Sequence, residues 1–200
     1  MSGAEGAGRA DDGVRPRTGD PAPSVVLLDP ATGDVLLSQC WMHRPVVVVF
    51  LRYFGCPFCQ MQVVALRDDQ QRFADVGADI VLVGQGDFTQ EVAFREARHV
   101  PFPILLDPQR LAYRAYGLGR ATTMQIFGPR VALPFVRANL HPETMQRGLK
   151  GGSFRQLPGT FVVDTEGIVR LAHRNRTVAD NPTNAVVLEA LRAIRHRAAR

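Results

Sequence analysis

Cys56-Pro57-Phe58-Cys59 puts two thiols three positions apart, where an apolar run gives way to helical spacing. Residues i and i+3 share a helix face, so two sulfurs on one turn can meet as a disulfide. Cys56 falls at the expected helix N-terminus, where unpaired backbone N–H groups and the macrodipole favour a thiolate. Pro57 suits the first helical position, because its missing N–H had no intrahelical acceptor to lose. The chemistry implied is dithiol redox. Cys56 is expected to be the exposed, low-pKa nucleophile, attacking a disulfide or an oxidised substrate. Cys59, facing inward, would be the resolving cysteine that closes an intramolecular disulfide.

The elements around this pair must hold it rigidly. Val46 to Leu51 is a continuous β-branched and aromatic run that reads as a buried strand. After the exit Arg52-Tyr53-Phe54-Gly55, the apolar positions Cys59, Val63, Leu66 and Phe73 predict one helix from Pro57 to about Asp75. Further strands are expected at Ser24–Leu28 and Val35–Leu37 around a turn, at Ala78–Gly84 and at Phe102–Leu106. Helices are expected over Phe88–Arg98 and Pro108–Tyr116. The alternation predicts an α/β domain over residues 24–200 with right-handed crossovers. Residues 1–23, rich in Gly, Ala, Asp and Arg without periodicity, predict a disordered N-terminal tail. From 117 to 156 the pattern loosens around Gly128, Pro129, Pro134, Gly148, Gly151 and Gly152, as expected of a surface insertion with short helical pieces. Gly159–Asp164 and Ile168–Ala172 then form a hairpin, and a last helix runs from about Thr183 to Arg197.

Composition narrows the function classes. The net charge is +5, but the basic residues are scattered, and 23 of the 24 are arginine, Lys150 being the one lysine. The C-terminal cluster of Arg192, Arg195, Arg197 and Arg200 lacks interleaved aromatics and reads as a solvated helix face. Nucleic acid is therefore not an expected partner. Three cysteines do not make a secreted disulfide framework. Neither a signal-peptide apolar region nor a run near 18 apolar residues is present, so no membrane association and a cytoplasmic location are expected.

Other readings compete for these residues. Cys40, His43, Cys56 and Cys59 nominally make a Cys₃His zinc set, although a buried strand separates the two pairs. Without metal, Cys40 packs as a small hydrophobe. Arg52 is either a thiolate stabiliser, four residues before Cys56, or a strand-end arginine in water. His173 reads as capped or solvent-facing, and Asp180-Asn181-Pro182 as a turn into the last helix.

The strand–dithiol–helix arrangement followed by a strand hairpin and a closing helix resembles the thioredoxin superfamily over roughly residues 24–197. A thioredoxin-like fold is implied, a central mixed sheet flanked by helices with the insertion before the last β-hairpin. Leu157-Pro158-Gly159-Thr160-Phe161 resembles its cis-proline segment, which implies a cis Pro158 beside the sulfurs and a substrate-binding surface at Pro158, Gly159 and Thr160. Phe50–Cys59, Gln156–Asp164, Ala172-His173-Arg174 and Asp180-Asn181-Pro182 resemble the peroxiredoxin-like family of the alkyl hydroperoxide reductase and thiol-specific antioxidant group. This resemblance implies a thiol-dependent oxidoreductase, a thioredoxin- or glutathione-type reductant, a small hydroperoxide or disulfide substrate and no bound cofactor or metal. Laid on peroxiredoxins proper, Cys59 takes the peroxidatic position and Cys56 that of a Thr or Ser, while Pro158 stands where an arginine is expected. Three alternatives stay open: a thiol peroxidase with Cys59 peroxidatic and Cys56 resolving, a redox-sensing binding module, and a glutaredoxin-like iron–sulfur carrier. The last lacks the Gly-Gly-Asp turn of glutaredoxins, with Gly167 alone in its turn.

Overall fold

The structure is a computed structural model, which describes residues 15–140 and 153–198. Within these residues the strands are β1 (Val26–Asp29), β2 (Gly33–Leu36), β3 (Val46–Phe50), β4 (Asp79–Gly84), β5 (Ile104–Leu106), β6 (Gly159–Val163) and β7 (Val169–Arg174). They form one mixed sheet in the order β2-β1-β5-β4-β3-β6-β7. β3, β4 and β5 run parallel, whereas β6 pairs antiparallel with β3 from Val46↔Val163 to Phe50↔Gly159. The helices are α1 (Pro57–Asp68), α2 (Gln70–Asp75), α3 (Phe88–Arg98), α4 (Leu111–Ala115), α5 (Thr123–Phe127), α6 (Pro129–Leu140) and α7 (Asn184–Ala198), with a 3₁₀ turn at Leu37–Trp41. This is the helix-flanked mixed sheet that the sequence led us to expect.

β3 is the central strand, and every residue in it is buried. Side chains alternate across the sheet, so Val47, Val49 and Leu51 join one core with α1, α3 and α7. Val46, Val48 and Phe50 join the other, with Trp41 and the α4 residues Ala112 and Tyr113. A two-sided core explains why β3 reads as an unbroken apolar run rather than an alternating one.

Three expectations need correction. The helix from Pro57 does not run unbroken to Asp75. It stops at Asp69, whose backbone leaves helical geometry and whose carboxylate accepts from Asn184 at 2.9 Å and Arg72 at 3.0 Å. Such side-chain bonding is how Asp competes with a continuing helix. Residues 15–23, expected to belong to a disordered tail, lie along β7. The Gly19 N–H donates to Val169 O at 2.8 Å, and Arg174 donates to Pro16 O at 2.6 Å. Residues 1–14 lie outside the described residues. Finally, the Leu157–Pro158 bond is trans. Pro158 simply precedes β6: its carbonyl accepts from the Asn175 N–H at 3.2 Å, and the Leu157 N–H donates to Gly119 O at 3.0 Å.

The stretch expected to be an insertion carries α5 and α6 in its described residues, 117–140 and 153–156, and contributes Ile126 and Val131 to the core beside α1. Gly148, Lys150, Gly151, Gly152 and Arg200 fall outside the described residues.

Candidate active site

The first turn of α1 follows the end of β3 after the short exit Leu51–Cys56. Cys56 is the N-cap in extended geometry and Pro57 the first helical residue, as the spacing implied. Both cysteines are reduced and 0 % exposed. The expectation of an exposed Cys56 is therefore wrong, because a structure built around the pair covers it from several sides. Phe54, two residues earlier, packs so tightly over the end of β4 that a Cβ at Gly84 would lie 2.5 Å from its ring. Phe94 stacks on the same ring with centroids 5.0 Å apart.

Burial alone would raise both thiols, and for Cys56 it is the largest single influence. The sum nevertheless goes the other way. The Cys59 thiol donates to the Cys56 sulfur, the Arg52 guanidinium attracts its negative charge, and the Cys59 backbone N–H adds to both, bringing Cys56 down to about 7. Cys59 goes well above its ordinary value, first through burial, then through its hydrogen bond to the Cys56 sulfur and the cost of a second charge beside it. One proton is thus shared unequally, and the first thiolate to form, on rising through about pH 7, is centred on Cys56. The Arg52 backbone N–H donates to the Cys59 sulfur at 3.2 Å, which fixes that sulfur against the strand exit.

Arg52 is the residue that the sequence left undecided, and the structure places it inside. It is 3 % exposed and makes no ion pair among the described residues. Its Nε donates to Phe154 O at 2.7 Å, its guanidinium lies 4.3 Å from the Phe154 ring centroid and 5.2 Å from that of Tyr53, and its Nη2 has no hydrogen-bond partner among the described residues. A buried cation without a carboxylate is costly unless some other anion faces it, and the group whose charge it stabilises here is the Cys56 sulfur.

Amide side chains complete the frame. Gln85, just past β4, donates to the carbonyls of Arg52 and, at 3.2 Å, Ser153, so it straps the end of the insertion to the strand exit. Gln60 donates to Phe54 O at 2.8 Å and accepts from buried Arg98 at 2.8 Å. Asn181 donates to Phe58 O at 3.0 Å, so the Asp180-Asn181-Pro182 turn also holds the residue between the cysteines. His173 is capped, its Nε2 2.6 Å from Asp180 O. Thr160 meets α1 by accepting from Gln62 at 3.0 Å, and a Cβ at Gly159 would lie 2.6 Å from the Leu118 side chain. Pro158, Gly159 and Thr160 are all buried, so they present no open binding surface. Cys40 packs into the core on the other face of the sheet, so the nominal zinc set is not brought together.

Sequence reasoning missed Phe154, Gln85, Gln60 and the walls supplied by α5 and α6. Gln85 carried a usable signal, since sites in parallel sheets gather beyond the carboxyl ends of the strands. Phe154 carried little, as a lone aromatic in a glycine-rich stretch.

A family model, the AhpC/TSA family, matches residues 18–172. The chain is 24 % identical over 191 residues to the thioredoxin-like protein AAED1, chloroplastic, of Arabidopsis thaliana, covering 89 % of this chain and 74 % of that protein. It is 26 % identical over 187 residues to human peroxiredoxin-like 2C, covering 86 % and 81 %. In fold it is similar to the crystal structure of peroxidoxin BcpB from Mycobacterium tuberculosis, with a TM-score of 0.66 and 24 % identity, covering 90 % of this chain and 98 % of that one.

Proposed function

This chain belongs to the AhpC/TSA family, and from that premise we propose that it is a dithiol peroxide reductase in which Cys56 attacks and Cys59 resolves. The observation that carries the assignment is the buried Arg52 guanidinium beside Cys56, which together with the Cys59 thiol brings the Cys56 thiol down to about 7 against burial, while Cys59 is raised. Both sulfurs are closed to a large partner, which favours a small hydroperoxide over a protein disulfide as the oxidant.

The Cys56 thiolate attacks the terminal oxygen of ROOH. An S–O bond forms as the O–O bond breaks, and the leaving alkoxide takes a proton from solvent to give ROH. Sulfur is oxidised by two electrons to Cys56 sulfenic acid. The Cys59 sulfur then attacks the Cys56 sulfur, and the sulfenic oxygen leaves as water with the Cys59 thiol proton, giving the Cys56–Cys59 disulfide. A thioredoxin- or glutathione-type thiol reductant returns two electrons. Arg52 is placed to hold the attacking thiolate and to stabilise charge developing on the peroxide oxygens.

The test is sulfenic acid trapping after a single addition of hydroperoxide. Cys59→Ser should accumulate sulfenic acid at Cys56, and Cys56→Ser should lose rapid oxidation. Wild-type initial rates in Cys56→Ser would instead make Cys59 the peroxidatic residue, the alternative that the resemblance to peroxiredoxins proper implies. Bound zinc, or a wild type that never forms the disulfide, would remove the dithiol reading altogether.

A further inference from the structure

Gln85 stands between the two segments that hold Arg52. It directly follows β4 and is 6 % exposed. Its side-chain nitrogen carries two hydrogens and uses both, one on the Arg52 carbonyl and one on the Ser153 carbonyl, the latter at 3.2 Å. The next carbonyl, that of Phe154, accepts from Arg52 Nε at 2.7 Å. A closed circuit results: Gln85 holds the Arg52 backbone, the same amide holds Ser153, and the residue after Ser153 holds the Arg52 side chain. We propose that Gln85 is a positioning residue for the dithiol, fixing the Arg52 guanidinium against the Cys56 sulfur by setting the spacing between the β3 exit and residues 153–154.

The inference rests on Cys56 as the attacking thiolate and adds a residue that acts on it only through Arg52. The backbone at Gln85 is fixed from both sides. Gly84 O accepts from the Asp107 N–H at 2.7 Å, and a Cβ at Gly84 or Gly86 would lie 2.5 or 2.6 Å from the Phe54 ring, so the two glycines let that ring close over the chain. At the far end of the side chain only an amide nitrogen suits. Two carbonyl oxygens face it, so a carboxylate would be repelled and an apolar group would leave both acceptors without this donor. Arginine has a long side chain, and a guanidinium that drifts from a buried thiolate gives up its attraction while the desolvation cost stays. The titratable and charged groups facing Cys56 are Arg52, Cys59 and Tyr53, and of these only Arg52 carries positive charge. Gln85 is neutral, so its influence lies in placing that charge and not in adding one.

The experiment is a pH titration of ultraviolet thiolate absorbance on the full reduced chain, read beside denaturant unfolding and the rate of oxidation by hydrogen peroxide. Gln85→Met keeps the length of the side chain and removes both donors. Its midpoint should move up from about 7, and at neutral pH its oxidation rate constant should fall roughly three- to tenfold as the thiolate fraction drops. Gln85→Glu keeps the shape, and its midpoint should rise at least as far, because the carboxylate faces two carbonyl oxygens and adds negative charge near the pair. Asn184→Ala loses bonds to Ala65 O and Asp69 at the C-terminal end of α1, so it should lower stability and leave the midpoint at about 7. A wild-type midpoint in either folded Gln85 variant, whatever its stability, overturns the inference. An equal upward shift in Asn184→Ala overturns it too, since the midpoint would then only follow stability. The titration needs no peroxide: a wild type that titrates as stated and reacts with neither hydrogen peroxide nor an organic hydroperoxide removes the peroxide reading and leaves the role of Gln85 standing.

Discussion

Cys40 and Cys56 pack on opposite faces of the central sheet, and both lose hydration there. Burial raises Cys40, the carboxylates of Asp29 and Asp79 raise it further, and it reaches about 11. Burial raises Cys56 too, but a neighbouring thiol and the Arg52 guanidinium reverse the outcome and bring it to about 7. The two thiols begin from the same value, so what separates them is what surrounds each, carboxylates at Cys40 and a hydrogen-bonding thiol with a guanidinium at Cys56. On the proposed function, reactivity comes from the exit of β3, where the fold turns an arginine inward, and not from exposure.

The largest effect expected from this contrast is a loss of function confined to one side of the sheet. Cys56→Ser should abolish hydroperoxide consumption, whereas Cys40→Ala should retain it within about twofold, as expected for a small side chain outside the dithiol machinery. Equal losses in a peroxide consumption assay would mean that the two neighbourhoods are not chemically distinct.

Arg52→Met should make Cys56 behave more like Cys40. With the cation gone, burial is opposed only by Cys59, and the midpoint of the rate–pH profile should move up from about 7. The sign follows from the charge: the thiolate is the reactive form, so the wild-type rate rises through about pH 7 and the variant rate only at higher pH. At neutral pH the rate constant should fall roughly 10²–10³-fold, the usual cost of one donor aimed at developing charge. Stopped-flow oxidation across pH measures both. An unchanged midpoint would remove Arg52 from the account.

The dithiol, its position after β3 and the alternation of strands and helices were legible because each rests on local spacing. β3 is a run of five apolar residues, and α3 matched its expected bounds at both ends. The inward turn of Arg52 was not legible, since an arginine after a strand is ordinarily solvated. What turns it inward is Phe154, 102 positions along the chain, whose carbonyl and ring it meets. Pro158 was misread for a related reason. A proline before a strand is compatible with either isomer, and the ladder contact from Asn175 that accompanies the trans form is not visible in the local sequence. The burial of Cys56 likewise depends on packing from distant elements, whereas helix-start chemistry is written locally.

Tyr113 couples the two faces and gives a smaller effect. It belongs to the core on the Cys40 side, yet its hydroxyl donates to Leu51 O at 2.6 Å and lies 2.9 Å from Val83 O, at the ends of β3 and β4. Tyr113→Phe leaves those buried carbonyls short of a donor, which should cost about 1–3 kcal/mol in denaturant unfolding. Because Leu51 directly precedes Arg52, the oxidation rate of Cys56 should fall as well. A stability loss with no change in rate would show that the strand exit is held without it.

The smallest effect lies on the Cys40 side, and it tests whether charge rather than burial separates the thiols. Asp29→Asn removes the second-largest cause of the raised Cys40 value, while burial, the largest, remains. The fold should tolerate the change. Asp29 accepts from the Ala31 N–H at 2.7 Å and the Thr32 N–H at 3.3 Å in the β1–β2 turn, and an amide oxygen can accept the same bonds. The Cys40 pKa should therefore fall, and at mildly alkaline pH its alkylation by a small reagent should speed up roughly two- to threefold, in keeping with loss of one nearby carboxylate at a half-buried thiol. Peptide mapping separates this from Cys56, whose alkylation should not change because Asp29 is not among the groups that shift it. A change at Cys56 as well would indicate a general loosening of the fold. No change at Cys40 would leave burial as the whole cause of its inertness, and the contrast drawn between the two faces would then hold only for Arg52.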